Sequence, residues 1–309
     1  MTLTTQNTAP HPAPRPMSAA ATIIVLRAGE QAVEVLMTRR HANLSFMGGM
    51  WVFPGGSLAA SDGSEFAHGL IYDPTRFACA AMLDLQGQPL QQRECLSLVI
   101  AACRETFEES GLLLARQHDG RPCDAAIVAA LQAQRAAIIK DPALFVELLL
   151  RERLRLDVES LIYWAHWITP SAVPRRFDTR FFLVAAPALQ PVSTDAREAT
   201  QYCWNSPTEL IAASHRGEMS LPHPTLCNLI ELESSLQTHG SIASLLATER
   251  HRPVPPILPK VVALEQQRMV VMPWDPEYQS SAGEGTPPHL EFPPTLCTLL
   301  PARVNHARG

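Results

Sequence analysis

The segment RETFEESG, residues 104–111, constrains this chain more than any other. It places three glutamates and an arginine in six positions, between the apolar runs SLVIAAC and LLLA. Helical spacing predicts one helix from about Glu94 to Ser110, with Leu98, Ala101, Ala102 and Thr106 on or near one face. Gly111 suits the C′ position that ends it. On such a helix Glu105, Glu108 and Glu109 stand at i, i+3 and i+4 and share a face, and Arg104 can pair with Glu108. Two like charges ~4 Å apart repel by about 4 kcal/mol at an effective dielectric of about 20. An exposed i,i+4 ion pair returns only about 0.3–0.5 kcal/mol. A solvated cluster would be an ordinary polar helix face. An enclosed one exceeds what Arg104 alone can neutralise, so either a carboxyl is protonated or a divalent cation is bound. A donor set made only of oxygens suits Mg²⁺ or Mn²⁺.

The rest of the chain alternates strand and helix without a regular βαβ rhythm, which points to an α+β fold. ATIIVLRAG (21–29) and QAVEVLMTRR (31–40) read as a hairpin turning at a glycine. MWVFPGG (50–56) reads as a short strand stopped by Pro54 and two glycines. FACAAML (77–83) reads as a short helix, followed by helices over about 124–138 and 142–152. LIYWAHWIT (161–169) and TRFFLVAA (179–186) read as strands, and residues 206–217 and 224–238 as helices. Residues 1–18 are expected to form a disordered arm. The Pro-rich stretch 239–309 is expected to be an extension packed on the domain, with a hairpin around RMVVMPW (268–274).

Composition excludes several functions. A net charge of −5 gives no overall pull toward nucleic acid or an anionic membrane. No apolar run approaches the roughly 20 residues that span a bilayer. Seven cysteines, without CxxC spacing, fit a reduced cytoplasmic interior better than a disulfide framework or zinc site.

RETFEESGL resembles the second half of the Nudix box, REUxEExGU, where U is a bulky aliphatic residue; Thr106 and Leu112 take the U positions. The first half is a glycine, five residues and a glutamate. Gly56 supplies the glycine, and Asp62 then holds the glutamate's place. Asp62 and Arg104 lie 42 positions apart where the unbroken box has 8, so about 34 residues are inserted. The split box, FMGGMWVFPGG before it and HWITPSAVPRRFDTRFFL (166–183) after it are similar to the peroxisomal-type coenzyme A diphosphatases. LMTRRHANLSFMGGMWVFPGG (36–56) also follows the coenzyme A signature at Leu36, Thr38, Arg40, Leu44, Gly49 and FPGG. It departs at Ser45, Met47 and Trp51, where that signature has arginine, histidine and valine.

The resemblance implies an α/β/α sandwich over residues 19–238, with a mixed sheet and an insertion at about 63–95. It implies hydrolysis of a nucleoside diphosphate linked to a group X, most directly coenzyme A or acyl-coenzyme A, giving adenosine 3′,5′-bisphosphate and a 4′-phosphopantetheine moiety. The other readings are a pyrophosphatase for ADP-ribose or NADH and a non-catalytic Nudix-fold ligand sensor. Glu105, Glu108 and Glu109 would hold Mg²⁺ or Mn²⁺, and one of them, or Glu198, would take a proton from water. Arg104 would orient the glutamates. Gly55 and Gly56 would let the loop approach the metal and phosphates, and Arg40 and Arg176 would bind substrate. The partner is a small nucleotide, with no nucleic acid or membrane; oligomeric state is left open. The C-terminal HARG is not a peroxisomal address, so the expected location is the cytoplasm.

Other conspicuous residues carry two readings. Arg175, Arg176 and Arg180 could bind phosphate or serve structure, with Arg176 paired to Asp178. Trp164, Trp167 and Trp204 could stack on adenine, though tryptophan on strands is more often core. His166 and His223 fit packing better than metal binding. PVPPILP (253–259) is expected to pack on its own domain, and WDPEY (274–278) could close over the site.

Overall fold

The computed structural model describes residues 17–71, 82–264, 267–287 and 289–297. Residues 1–16 of the expected arm, and most of the helix expected at 77–83, lie outside them. Met17 and Ser18 are strand residues.

β1 (Met17–Ala28) is apolar on both faces. Ile23 and Val25 enter one core and Ile24 and Leu26 the other. That pattern belongs at the centre of a sheet covered on both sides. β1 pairs with β2 (Val33–Arg40) in the expected hairpin, Leu26 opposite Val35. β3 (Trp51–Val52) then pairs with β2, and β4 (Gly55–Ser57) with β1. The chain continues through α1 (Glu65–His68), α2 (Gln92–Ser110), β5 (Ala115–Gln117), α3 (Ala125–Gln132), α4 (Arg135–Ile138) and α5 (Ala143–Arg151). β6 (Leu154–Leu156), β7 (Ile162–Ile168), β8 (Arg176–Ala185) and β9 (Ala199–Asn205) follow. Next come α6 (Pro207–His215), α7 (His223–His239) and α8 (Ile242–Thr248), then β10 (Pro256–Ile257), β11 (Lys260–Leu264), β12 (Gln267–Val271) and α9 (Pro294–Cys297).

The main sheet is mixed. Its order is β10-β7-β8-β1-β2-β3, with β4 also on β1 and β9 also on β2. β8 runs parallel to β1 and antiparallel to β7, while β9 lies antiparallel on β2. One face carries α2 with Val128, Leu131, Ile138 and Phe145 of α3–α5. The other carries Leu210, Cys227, Leu229 and Leu245 of α6–α8. This is the expected α/β/α arrangement.

Because α2 lies between the sheet and further helices, it is buried on nearly every side, from Cys95 through Arg104 and from Thr106 through Ser110. It starts at Gln92, where the Gln91 N–H donates to the Glu94 carboxylate. It stops at Gly111, whose φ of 76° is the left-handed conformation glycine adopts readily.

The C-terminal region lies mainly against the other face. Val254, Ile257 and Leu258 are buried. Trp274 meets Trp167 and Phe292 edge-on, and both belong to the core opposite α2. WDPEY is therefore built into that face and does not close over the acidic turn.

Candidate active site

The acidic turn is enclosed. Arg104 is 2% exposed, Glu109 4% and Glu108 8%, which removes the solvated-face reading. Arg104 is the hub. Its Nη1 donates to Glu105 Oε1 and Glu108 Oε1, each at 2.9 Å. Its Nε and Nη2 donate to the two Asp62 oxygens, both at 2.9 Å, and Nη2 also reaches the Ser57 carbonyl. Asp62, fully buried in a short 3₁₀ turn (Ala60–Gly63), accepts the Ala59 N–H as well. The insertion therefore does not disperse the box: a bidentate ion pair rejoins its halves across 42 positions.

Glycines bring the β4 backbone against these carboxylates. The Gly55 N–H donates to Glu109 Oε2 at 3.3 Å. A Cβ on Gly56 would lie 2.5 Å from the Glu105 carboxyl carbon, so only glycine leaves that carboxylate its position. A Cβ on Gly55 would strike the β1 backbone at Ala21 and Thr22. Arg40, at the end of β2, places Nη1 4.0 Å from Glu109 Oε1 and donates from Nε to the Phe46 carbonyl. Glu198 precedes β9, its carbonyl accepting the His41 N–H at 2.8 Å, and its negative charge acts on all three glutamates.

Burial dominates the electrostatics. It pushes Glu105 up to about 7 against the pull of Arg104, with Glu108 and Glu198 adding to the rise. Burial also raises Glu108, again opposed by Arg104. Glu109 is raised well above the usual carboxylate range, by burial and then by Glu105, with Arg40 and the Gly55 N–H too weak to compensate. Asp62, Glu105, Glu108 and Glu109 carry four negative charges when ionised, against two positive charges on Arg104 and Arg40, leaving an excess of two. Among the described residues no group of three or more His, Cys, Asp or Glu side chains is preassembled around a cation. Arg104 Nη1 lies between two of the expected ligands, Glu105 and Glu108. The remaining charge, the oxygen-only donors and the close approach of the Gly56 backbone to the Glu105 carboxylate fit a hard divalent cation.

Arg176 does not join this group. It is 2% exposed, donates from Nε to the Thr169 carbonyl and pairs through Nη2 with Glu284 at 2.7 Å. Its expected place at the substrate is corrected to a tie between β8 and the C-terminal region. The alternative partner, Asp178, is bonded instead to Arg180 and His166. Trp164 and Trp167 are core residues, while Trp204 lies under the Arg27 guanidinium at 4.4 Å. Two contributors have no signal in the motif, the Ser57 and Phe46 carbonyls, because backbone acceptors leave no residue-type signature.

The sheet order, the glycine loop against the acidic helix turn and the buried Arg104 hub define the Nudix class, and the chain belongs to the Nudix hydrolase family. Within it, the model for the NUDT19 Nudix domain matches residues 14–232. Three relatives are acyl-coenzyme A diphosphatases NUDT19: from Gallus gallus, 31% identical over 72% of this chain and 68% of that protein; from Homo sapiens, 30% over 63% and 59%; and from Xenopus laevis, 28% over 64% and 59%. The chain thus spans about three fifths of the length of the human and Xenopus proteins. Among solved structures, a NUDIX hydrolase from Alicyclobacillus acidocaldarius is 26% identical, with a TM-score of 0.63, over 78% of this chain and all of that one.

Proposed function

We propose that the protein hydrolyses the diphosphate of a nucleoside diphosphate-X substrate, with coenzyme A or acyl-coenzyme A the leading substrate. The products are adenosine 3′,5′-bisphosphate and an (acyl-)4′-phosphopantetheine. The observation that carries this reading is the buried excess of negative charge on one helix turn, beside a glycine loop with no side chain in the way. Glu105 and Glu109, with Glu108, would hold Mg²⁺ or Mn²⁺. A cation there supplies positive charge to offset the diphosphate and to acidify a water. Arg104 anchors Glu105 and Glu108 through Asp62, so the turn keeps its shape while its charge changes. Arg40, beside Glu109, is placed to meet a phosphate oxygen. Glu198, the exposed carboxylate of the set, is placed to take the proton from water and release it to solvent.

The named relatives and the coenzyme A signature favour coenzyme A, while Ser45, Met47 and Trp51 keep ADP-ribose and NADH as the second reading. The test is a panel. Purified protein with Mg²⁺ or Mn²⁺ is offered coenzyme A, acyl-coenzyme A, ADP-ribose and NADH, and products are separated by chromatography. Release of adenosine 3′,5′-bisphosphate, abolished by a chelator, is expected. Cleavage of ADP-ribose or NADH in preference moves the substrate. No product from any of them leaves a ligand sensor. Among the described residues no helix is long and apolar enough to cross a membrane. We place the protein in the cytoplasm on the cysteine pattern of its sequence, seven cysteines without CxxC spacing.

A further inference from the structure

Three arginines crowd the start of β8, and the structure separates them. Arg176 is held by Glu284 and Thr169, and Arg180 by Asp178 and the Leu83 carbonyl. Arg175 is exposed and has no carboxylate partner among the described residues. Its guanidinium carbon lies 5.0 Å from the Phe177 ring centroid and 5.8 Å from that of Phe46, rings that are themselves 5.0 Å apart. Aromatic faces attract and orient a guanidinium but leave its N–H donors unused. The result is a planar, permanently charged fork, held in place and open to a ligand.

Its position relative to the acidic turn follows from the contacts. The Phe46 carbonyl accepts from Arg40, and Arg40 approaches Glu109, so two residues connect Arg175 to the carboxylates. The sheet agrees. Met17 of β1 is opposite Arg176, while Ala21, about 13 Å along the same strand, is opposite Gly56 on the other side of β1, so Arg176 and Gly56 lie about 16 Å apart. An adenosine moiety reaching out from a diphosphate at Gly56 covers much of that span, and an arginine side chain the rest. Ser45, the residue before Phe46, is where the coenzyme A signature carries an arginine. A guanidinium thus returns beside that position from the loop before β8.

We infer that Arg175 binds a second anion of the substrate, a phosphate monoester on the ribose, distinct from the diphosphate to be cleaved. This rests on the hydrolase reading above, and it makes the protein selective for 3′-phosphorylated adenosine diphosphates. Arg175 acts as a specificity residue through the bidentate pairing guanidinium makes with phosphate.

The experiment compares coenzyme A with 3′-dephospho-coenzyme A in the native protein and in Arg175→Gln and Arg175→Lys. The ratio of kcat/KM for the two substrates is expected to favour coenzyme A and to fall about tenfold or more in Arg175→Gln, the usual effect of losing one charge-assisted contact. The fall lies in KM, and lysine restores part of it. An unaltered ratio overturns the inference. Calorimetric titration of the native protein with adenosine 3′,5′-bisphosphate and with AMP gives a readout without turnover. Tighter binding of the bisphosphate, lost in Arg175→Gln, is expected, and equal binding of the two overturns the assignment. If neither coenzyme is cleaved, the hydrolase reading fails, and the titration still decides Arg175.

Discussion

Two buried charge clusters lie on the α2 side of this molecule, and burial acts on them with opposite results. On β7 and β8, one carboxylate, Asp178, accepts from Arg180 at 2.7 Å and from His166 at 2.5 Å. Burial works against its charge, but the His166 hydrogen bond and the neighbouring cations outweigh it and hold Asp178 below the usual carboxylate range. At the acidic turn, Asp62 and three α2 glutamates share Arg104 and Arg40, and burial wins: Glu105, Glu108 and Glu109 are all raised. Both clusters are largely buried and hydrogen-bonded. What separates them is charge balance. A balanced cluster is complete in itself and serves the fold, whereas one with excess charge takes up protons or a ligand of the opposite sign.

The largest expected effect tests that distinction directly. Glu109→Gln removes one negative charge and keeps the shape, so it should fold normally by circular dichroism and lose about a thousandfold in metal-dependent turnover, the several kcal/mol that metal-ion catalysis supplies. Near-native rates would erase the contrast. Next, Asp62→Ala leaves Arg104 buried without its bidentate partner and should cost about 3–5 kcal/mol in urea unfolding. Asp178→Ala should cost a similar amount while leaving the cation response intact.

Cation binding should separate the clusters more finely. A raised carboxyl holds its proton more tightly folded than unfolded. The metal-free protein should therefore lose stability as pH climbs from the usual 4.5 toward the value of about 7 at Glu105. Mn²⁺ at a hundredfold excess over its Kd should restore about 2–3 kcal/mol. That gain should be greater at pH 8 than at pH 5.5 in thermal melts, and equal gains would show that the acidic turn does not bind the ion. The smallest effect is expected for Gly56→Ala, which displaces the Glu105 carboxylate and should weaken Mn²⁺ affinity about tenfold, or about 1.4 kcal/mol. Isothermal titration would measure it.

Legibility followed distance along the chain. The α2 helix, its end at Gly111 and the hairpin of β1 and β2 were readable because periodicity and turn chemistry are local. β9 was not. Thr200, Gln201 and Tyr202 are exposed on an edge strand, so no apolar alternation marks it. Within the site, the glutamates and glycines were readable from their motif. Which of Arg175, Arg176 and Arg180 lacks a carboxylate partner among the described residues was not, because it depends on Glu284, 108 residues from Arg176, on Leu83 in the insertion and on Phe46 in the loop after β2. A partner that distant leaves no periodic trace in sequence.

The Asp62–Arg104 clasp has one more consequence. By fastening Asp62 to Arg104, it closes the intervening segment into a loop that carries Ala67 of α1, Leu70, Ile71, Met82 and residues 95–103 of α2 into the core. The entropy of closing such a loop rises by only about 0.6 kcal/mol for each doubling of its length. Descendants of this chain could lengthen or refashion the stretch between those core residues at little entropic cost while the clasp keeps Asp62 beside Arg104.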